Sequence, residues 1–305
     1  MIYTVTLNPA MDYFVSLDTL ELGGVNRTKA DHKAPGGKGI NVSRVLKRMG
    51  HKSTALGFIG GFTGEYIKAS IEEEQIQASF IQVDGDTRIN VKINAREESE
   101  LNGVSPDVSA SDLEKLEAQF SGLVEGDAIV LAGSVPPALR ADVYAAWTSQ
   151  LKKQGVKVYV DTSGTALADV IQAKPTFIKP NQHELSELTG AEISTLKEAV
   201  PYVKALIDQG IEYVLVTFAG DGALLATAET ILFANTPKGT VKNSVGAGDS
   251  TVAGFVCAKE EGKTLIDAFR FAVASGSATA FSTGFAERNT IEALMEEIHV
   301  TPFQS

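Results

Sequence analysis

The chain has 305 residues, 44% of them hydrophobic, which is enough for one large α/β domain with a small appendage. Its formal net charge of −11 makes nucleic acid and anionic membrane surfaces unsuitable partners, and an anionic substrate would need a local basic pocket. Cys257 is the only cysteine, which excludes an internal disulfide and favours a reducing, cytoplasmic setting.

The first residues predict a strand rather than a signal peptide, because residues 1–7 lack a basic start and a long apolar run. This strand ends at Asn8, and an extended pattern resumes after Asp12 until Gly23-Gly24 interrupts it. No apolar run in the chain approaches the length that spans a membrane.

The next feature is the glycine-rich stretch Gly36-Gly37-Lys38-Gly39. From Lys38 an apolar stripe at helical spacing continues until Gly50, so Lys38 and Asn41 fall in the first turn of a helix. A plain loop with a solvated Lys38 explains this motif equally well. A strand over residues 55–59 and a helix ending near residue 74 follow.

Residues 87–94 alternate strictly between apolar and polar side chains. Ile89, Val91 and Ile93 share one face, whereas Arg88 and Lys92 lie among amides on the other, which predicts an antiparallel-type strand with one cationic face. A solvated outer face is the ordinary explanation, but two cations among amides in a negative protein suit a sugar phosphate. Residues 100–103 are predicted to form the turn that closes this small sheet.

From about residue 111 the sequence predicts strands and helices in regular alternation. Ser111 is predicted to cap a helix over residues 111–123, with Glu114 completing a capping box. Apolar strands alternating with amphipathic helices indicate a mostly parallel sheet with helices on both faces, which binds ligands at the carboxyl ends of its strands. Polar residues just after predicted strands could therefore share one edge: Asp12, Ser134, Asp161, Asn181, Glu184, Thr217 and Gly220.

The stretch of residues 243–250 is small and glycine-rich and runs into a helix predicted to start near Ala247. A helix start binds anions through unpaired N–H groups and the helix dipole. Asp249 would repel such an anion unless it accepts a proton from a hydroxyl that attacks a phosphoryl group. From these residues alone, an acid that merely favours the first helical turn is an equally good explanation.

Several other kinds of site are excluded by missing patterns. The chain has neither a P-loop G-x-x-x-x-G-K-[ST] nor a G-x-G-x-x-G that opens a helix after a strand. Its four histidines and one cysteine are scattered, which argues against a zinc site, and no G-x-S-x-G nucleophile elbow occurs.

Three motifs in order carry a family resemblance: Gly36-Gly37-Lys38-Gly39-x-Asn41, Asn181-x-x-Glu184 and Gly246-Ala247-Gly248-Asp249. Together they resemble the signatures of the ribokinase-like, PfkB-type sugar kinases, over essentially the whole chain. Residues 6–12, 85–92 and 132–136 are similar to the subgroup acting on phosphorylated ketohexoses. Tyr13 and residues 57–66 are most similar to the bacterial 1-phosphofructokinases of that subgroup.

The resemblance implies a three-layer α/β sandwich with a mostly parallel sheet flanked by helices. It also implies a single domain over residues 1–305, with a small β-sheet lid built from about 12–33 and 87–103. ATP and Mg²⁺ would be the cofactors. Asn243-Ser244 departs from the Asp-Thr of many members, so no role that depends on that aspartate, such as a monovalent-cation site, is carried over.

The implied site has three parts. Asp249 would be the general base, with Gly246, Ala247 and Gly248 as the anion hole for the transferring phosphate. The ATP phosphates, the nucleotide and Mg²⁺ would contact Lys179, Asn181, Glu184 (through water to the metal), Thr217, Ala219, Gly220 and Gly222. The sugar hydroxyls would contact Asp12, Gly37, Lys38 and Asn41, and the phosphate already on the sugar would contact Arg88, with Lys92, Arg27 and Ser134 less firmly assigned.

The resulting expectation is ATP-dependent phosphorylation of D-fructose 1-phosphate to fructose 1,6-bisphosphate. Tagatose-6-phosphate kinase and 6-phosphofructokinase activities need nearly the same local chemistry, and a non-catalytic sugar-phosphate sensor is the alternative of another class. The apolar face of the lid needs cover, which predicts a homodimer through the two lids. That face is expected to carry Phe14, Val15, Ile89, Val91 and Ile93.

Overall fold

The computed structural model describes residues 1–303 and contains two sheets. The strands are β1 (Ile2–Thr6), β2 (Ala10–Ser16), β3 (Ala30–Gly36), β4 (Ser53–Ile59), β5 (Gln77–Gln82), β6 (Ile89–Asn94), β7 (Glu98–Asn102), β8 (Ala128–Ala132), β9 (Lys157–Asp161), β10 (Phe177–Ile178), β11 (Tyr213–Thr217), β12 (Ala223–Ala226), β13 (Ile231–Ala234) and β14 (Val300–Pro302). The helices are α1 (Lys38–Arg48), α2 (Gly61–Glu73), α3 (Ala110–Phe120), α4 (Val143–Lys153), α5 (Gly164–Gln172), α6 (Gln182–Thr189), α7 (Leu196–Asp208), α8 (Ala247–Glu260), α9 (Leu265–Ala280) and α10 (Arg288–Met295).

The larger sheet has ten strands in the order β14-β13-β12-β11-β10-β9-β8-β1-β4-β5. Pairing is parallel from β5 across to β11 and antiparallel from β11 to β14. The predicted mostly parallel sheet is confirmed. Because its parallel strands point the same way, the residues that follow β1, β8, β9, β10 and β11 meet at one edge.

Helices cover both faces of this sheet, as the predicted three-layer sandwich requires. Helices α3 to α7 pack on the face that carries Val5, Leu131 and Val160, and α1, α8, α9 and α10 pack on the opposite face, with α2 beside α1. Strand β8 is fully buried and entirely apolar, which is typical of a strand covered on both sides. Every helix within residues 1–303 falls short of the length and apolar character that a membrane span requires.

Helices α8 and α9 pack closely because small residues lie at their contact. A Cβ added at Gly254 would come within 2.4 Å of Ser275 Oγ and 3.0 Å of Ala272 Cα. Helix α8 is buried over almost its whole length, so its first turn is held rigidly at the sheet edge. Cys257 lies in this packed layer, and burial raises the pKa of its thiol to about 12.

The smaller sheet has the order β3-β2-β6-β7, and it corrects three expectations. Residues 98–102 are a strand rather than part of a closing turn. Strand β6 is antiparallel to β7 but parallel to β2. Phe14 lies opposite Lys92 and stacks on His32 with ring centroids 4.6 Å apart, so it belongs to the polar face and not to the face of Val15.

The start of α3 also differs from the prediction. Ser109, not Ser111, is the N-cap, and it forms the capping box with Asp112 rather than with Glu114. Both pairs have the right spacing, but Ser109 is preceded by Val108, which is buried in the same apolar cluster as Leu113. This arrangement is a hydrophobic staple, and it fixes the helix start two residues earlier.

Candidate active site

The first turn of α8 presents open backbone N–H groups at the sheet edge. Gly246 is the N-cap in the left-handed conformation, with φ of 79°, and no side chain in the described part of the chain caps the helix. The N–H groups of Gly248 and Asp249 have no acceptor among residues 1–303. A Cβ on Gly248 would lie 3.4 Å from Lys179 Nζ, so this ammonium group lies beside the helix start. Open amides and a nearby cation form a site for an anion.

Asp249 lies at this helix start as a buried carboxylate, only 6% exposed. Its Oδ2 accepts a hydrogen bond of 2.8 Å from Asn41 Nδ2, on α1. Burial raises the pKa of Asp249 to about 6, and the charge of Asp161 adds to this effect. Asn41, Lys38 and Lys179 act in the opposite direction. Asp249 is therefore ionised at neutral pH but close enough to neutrality to accept a proton.

Two lysines meet at a single carboxylate oxygen beside this group. Asp161, at the end of β9, is 1% exposed, and its Oδ1 is 3.2 Å from Lys38 Nζ and 3.5 Å from Lys179 Nζ. Burial acts to raise the pKa of Asp161, but Lys179 and Lys38 outweigh it and hold that pKa below its usual range. The same charge holds the pKa of Lys38 above its usual range. Asp161 was placed at this edge by the sequence, but its pairing with both lysines was not foreseen.

A cavity of about 980 Å³ adjoins the start of α8. It is lined by several residues that the sequence assigned to the nucleotide: Asn181, Thr217, Ala219, Gly220 and Gly222. Ala219 adopts a positive φ of 46°, which is strained for a residue with a Cβ. The other wall includes Pro237, Val241 and Phe281, which no motif indicated. The cavity thus combines polar groups, the start of α8 and apolar side chains, which suits a nucleotide.

Asn181 and Glu184 form a reciprocal capping box at the start of α6. Asn181 Oδ1 accepts from the Glu184 N–H, and Glu184 Oε2 accepts from the Asn181 N–H, both at 2.8 Å. The second carboxylate oxygen of Glu184 has no hydrogen-bond partner among residues 1–303 and remains open to a ligand.

The residues predicted to bind the sugar hydroxyls lie around the start of α1, where Gly36 contacts Asp12 and Asn41 contacts Asp249. Asp12 Oδ1 accepts from Asn90 Nδ2 at 3.0 Å, and Gly36 lies so close that a Cβ there would be 2.2 Å from Asp12 Oδ2. Gly37 has φ of 124° and lies against Thr6, so its backbone turns into α1 at a place where a side chain would not fit. The start of α1 therefore connects this polar group to Asp249 through Asn41 and to Asp161 through Lys38.

The four residues predicted to bind the phosphate already on the sugar lie in different surroundings. Arg88 is half-buried and donates from Nε to Pro9 O at 3.3 Å and from Nη2 to Asn8 O at 3.1 Å. Ser134 Oγ accepts from Asn8 Nδ2 at 3.1 Å. Lys92 is paired with Glu100 at 2.6 Å, and Arg27 lies in the exposed loop between β2 and β3. Arg88 and Ser134 form one group around Asn8, and the phosphate-binding roles of all four residues stay predictions.

Known proteins resemble this chain over its full length. The model of the pfkB family carbohydrate kinases matches residues 5–291. The chain belongs to this family. A 1-phosphofructokinase of Bacillus subtilis (strain 168) is 51% identical over 301 residues, with 99% of each chain covered. A D-tagatose-1-phosphate kinase of Bacillus licheniformis is 36% identical over 302 residues, also with 99% of each covered.

Among solved structures, phosphofructokinase-2 from Escherichia coli, in complex with substrates and products, superposes with a TM-score of 0.92 at 28% identity. The alignment covers 97% of this chain and 98% of that one. This PfkB-family chain is therefore a phosphotransferase with the ribokinase-like fold, and the resemblance stated from the three sequence motifs is confirmed.

The residues of this PfkB kinase fit the Mg²⁺ that ATP chemistry implies. Asp161 Oδ2 is buried and accepts no hydrogen bond from any group in residues 1–303, and Glu184 keeps one open carboxylate oxygen there. Mg²⁺ prefers oxygen ligands and keeps several waters, so these two groups would hold it directly or through water. When bound, the ion would neutralise charge on the phosphates of ATP.

A different ligand cluster lies at the far end of α8. Within residues 1–303, His51, Cys257 and Glu261 have donor atoms within 4.8 Å of one another. Glu261 is already paired with Arg288 at 2.6 Å and with Lys263 at 3.2 Å. These ion pairs connect the ends of α8 and α10, at a place separate from the carboxylates near Asp249.

The pKa of Asp249 predicts the acid side of the pH profile of this PfkB kinase. Because only the ionised carboxylate accepts a proton, kcat/KM should fall about tenfold per pH unit below an apparent pKa near 6. Steady-state rates from pH 5 to 8, with a coupling system calibrated at each pH, measure this limb. A rate that stays constant down to pH 5 would show that the base has an ordinary carboxylate pKa or is another group.

Proposed function

We propose that the protein transfers the γ-phosphate of ATP to D-fructose 1-phosphate, giving fructose 1,6-bisphosphate and ADP. The observation that carries this proposal is the buried Asp249 carboxylate beside the open amides of α8, between a nucleotide-sized cavity and the polar group around Asp12. The 51% identity to a 1-phosphofructokinase supports the choice of sugar.

In the proposed reaction, the oxygen of the sugar's C6 hydroxyl attacks the γ-phosphorus of ATP, and Asp249 accepts the proton of that hydroxyl. The bond between that phosphorus and the β,γ-bridging oxygen breaks, and ADP leaves with the electron pair. The N–H groups of Gly248 and Asp249, with Lys179 beside them, stabilise charge on the transferring phosphoryl group. Asn41 fixes the direction of the Asp249 carboxylate, and Lys38, held by Asp161, faces the same centre.

Residues 1–305 act in this proposal as one kinase domain with a lid, the smaller sheet of β2, β3, β6 and β7. Closure of the lid over the sugar would exclude water and limit hydrolysis of ATP. We also propose a cytoplasmic setting, which the buried thiol of Cys257 favours.

A second candidate substrate is D-tagatose 1-phosphate, which differs from fructose 1-phosphate only in configuration at C4. A relative 36% identical over the whole chain, named D-tagatose-1-phosphate kinase, favours it. Both sugars place the phosphate at the same end and use the same acceptor hydroxyl, so Asp249 and Arg88 keep their roles. The contacts around Asp12 would make the distinction.

The test is an ADP-release assay with ATP and Mg²⁺, comparing kcat/KM for fructose 1-phosphate, tagatose 1-phosphate, fructose 6-phosphate and tagatose 6-phosphate. We expect fructose 1-phosphate to be preferred by about tenfold or more, a difference of ~1.4 kcal/mol. Preference for a 6-phosphate would overturn the substrate but keep the mechanism. Folded protein that releases no ADP with any of them would favour the non-catalytic sugar-phosphate sensor.

We further propose a homodimer formed through the lids. Met11, Val15 and Ile93 are already buried within the chain, but Ile89 is 37% exposed and Leu101, on the same face, is 62% exposed. Light scattering well above the assay concentration should give twice the 32.3 kDa mass of one chain. A monomeric mass under these conditions would rule this dimer out.

A substitution on that face tests the location of the interface. Leu101→Lys places a charge in the proposed contact and should shift the mass to that of one chain. Val124→Lys is the matched control, because Val124 is equally exposed, at 63%, but lies outside the lid. If Leu101→Lys stays dimeric, the contact uses another surface.

A further inference from the structure

Asn8, between β1 and β2, links three separate segments of the sugar side. Its Nδ2 donates to Ser134 Oγ at 3.1 Å, and its Oδ1 accepts from Ser105 Oγ at 2.7 Å. Its main-chain carbonyl accepts from Arg88 Nη2 at 3.1 Å. One residue therefore contacts the segment after β8, the segment after β7 and the start of β6.

The directions of these hydrogen bonds decide which hydroxyl is free. A serine hydroxyl has one proton to donate, and Ser105 uses its proton on Asn8. Ser134 accepts from Asn8 instead, so its own proton remains available for another acceptor. Because Ser105 holds the amide oxygen, the amide N–H₂ group is directed at Ser134.

Arg88 is oriented from the same place. Two of its five guanidinium N–H groups donate to the carbonyls of Asn8 and Pro9, so the others remain for an anion. A guanidinium group fixed in this way and a serine with a free proton are the donors that a phosphate group accepts from. Both depend on the position of Asn8.

We propose that Asn8 is a positioning residue for the phosphate that the sugar substrate already carries. Its side chain directs Ser134 as a donor, and its carbonyl orients Arg88. This inference rests on the proposed sugar-phosphate kinase function, since it assigns the residue that prepares the phosphate end of that site. In this role Asn8 acts through Ser134 and Arg88 rather than on the reacting atoms.

A purely structural role for Asn8 predicts different kinetics. If the amide only tied Ser105 to the body of the protein, its loss would disturb both substrates alike. Asn8→Asp would then be the milder substitution, because the carboxylate keeps the shape and the bond to Ser105. Under the positioning role Asn8→Asp would be more harmful than Asn8→Ala, since a carboxylate accepts the Ser134 proton and repels the phosphate.

The experiment compares Asn8→Ala and Asn8→Asp in the full-length protein. Asn8→Ala should raise the KM for the sugar phosphate by about tenfold, equivalent to ~1.4 kcal/mol. The KM for ATP and kcat should change by less than about twofold, because the nucleotide cavity is untouched. Asn8→Asp should raise the sugar-phosphate KM further. Equal changes in both KM values, or a milder effect of Asn8→Asp, would overturn the proposal.

A double-mutant cycle tests whether Asn8 acts through Ser134. The main-chain carbonyl persists in Asn8→Ala, so the whole effect of that variant should pass through the serine. Asn8→Ala combined with Ser134→Ala should therefore have the same KM as Ser134→Ala alone. Additive effects would contradict this route.

Two further variants keep the test interpretable. Ser105→Ala removes only the hydroxyl that orients the Asn8 amide, so it should also raise the sugar-phosphate KM, but less than Asn8→Ala does. This variant provides the test if Asn8→Ala folds poorly. Asn289→Ala is the matched control, because Asn289 is an exposed residue of α10, and it should leave both KM values unchanged. Wild-type protein that phosphorylates no sugar phosphate would refute the proposed function, whereas an active wild type without the KM split would refute only the role of Asn8.

Discussion

Replacing Asp249 with Asn should lower kcat by about 10²–10⁴-fold, which is the usual scale for loss of a general base. The amide has nearly the same shape and can still accept the hydrogen bond from Asn41, but it cannot take the hydroxyl proton. The ADP-release assay measures the loss of turnover. KM for ATP should change little, because the open N–H groups of α8 remain.

The free energy of unfolding distinguishes a general base from an acid that is favoured only because it lies in the first turn of a helix. Burial raises the folded-state pKa of Asp249 above 3.8, so its ionisation weakens the fold as the pH rises from 4 through about 6. Above pH 6, Asp249→Asn should therefore be more stable than wild type by on the order of 1–3 kcal/mol, since one pKa unit corresponds to ~1.4 kcal/mol. Below pH 4 the difference should vanish.

Asp267→Asn is the matched control, because Asp267 occupies the first turn of α9 in a partly exposed position, and Thr264 Oγ1 caps that helix by accepting from the Asp267 N–H. It should leave kcat unchanged and lower stability slightly. Denaturant unfolding at pH 4 and pH 7.5 gives the free energies. Near-normal turnover of Asp249→Asn, or a loss of stability like that of Asp267→Asn, would contradict the assignment of the base.

The parallel part of the fold was predictable because its strands are covered on both faces. Buried apolar runs bounded by turns predict strands over residues 128–132, 156–160 and 213–216. The structure has β8 with these bounds, and β9 and β11 differ from them by no more than one residue at either end. The hairpin of β12 and β13 was not predicted. It breaks the βα rhythm, and its Ala-rich and Leu-rich strands resemble a buried helix as closely as a strand.

The smaller sheet shows where local pattern is insufficient. Alternation correctly placed Ile89, Val91 and Ile93 on one face of β6, because a strand has a period of two. It could not give the register of β6 against β2, which decides that Phe14 lies beside Lys92. Residues 98–102 are polar and exposed, so nothing in their sequence distinguished an edge strand from a turn.

In the candidate site, too, the sequence predicts the features that depend on neighbouring residues but not those that depend on distant ones. Glycine-led helix starts indicated Lys38 and Asp249, because that chemistry is local. The contact of Asp161 with Lys38 joins residues 123 positions apart, and the apolar wall of the cavity joins residues 237–241 to Phe281. Such contacts depend on the three-dimensional fold, and single-sequence patterns do not contain them.

The contact of Asp161 with two lysines has the second large expected effect. Asp161→Asn leaves the buried Lys179, which is 5% exposed, without its counter-charge, and should cost about 3–5 kcal/mol of folding free energy. It should also lower kcat by at least about tenfold, since neither ammonium group is then held beside the phosphoryl group. Denaturant unfolding and the ADP-release assay measure the two effects.

The pH profile gives a readout that instability alone would not change. The charge of Asp161 helps to raise the pKa of Asp249, so its removal should move the acid limb of kcat/KM from about pH 6 to lower pH. Asp127→Asn is the control. Asp127 is also buried, but it lies before the first residue of β8, at the end of the strand away from the candidate site, where it binds the amino terminus. It should cost stability and leave the acid limb in place.

A compensating variant separates the structural cost from the chemical one. In Asp161→Asn with Lys179→Met, the buried site carries neither charge, so most of the lost stability should return. Turnover should not return, because the ammonium group beside Gly248 is gone. Recovery of both would mean that the pair serves the fold alone. An acid limb that stays near pH 6 in Asp161→Asn would mean that burial by itself sets the pKa of Asp249.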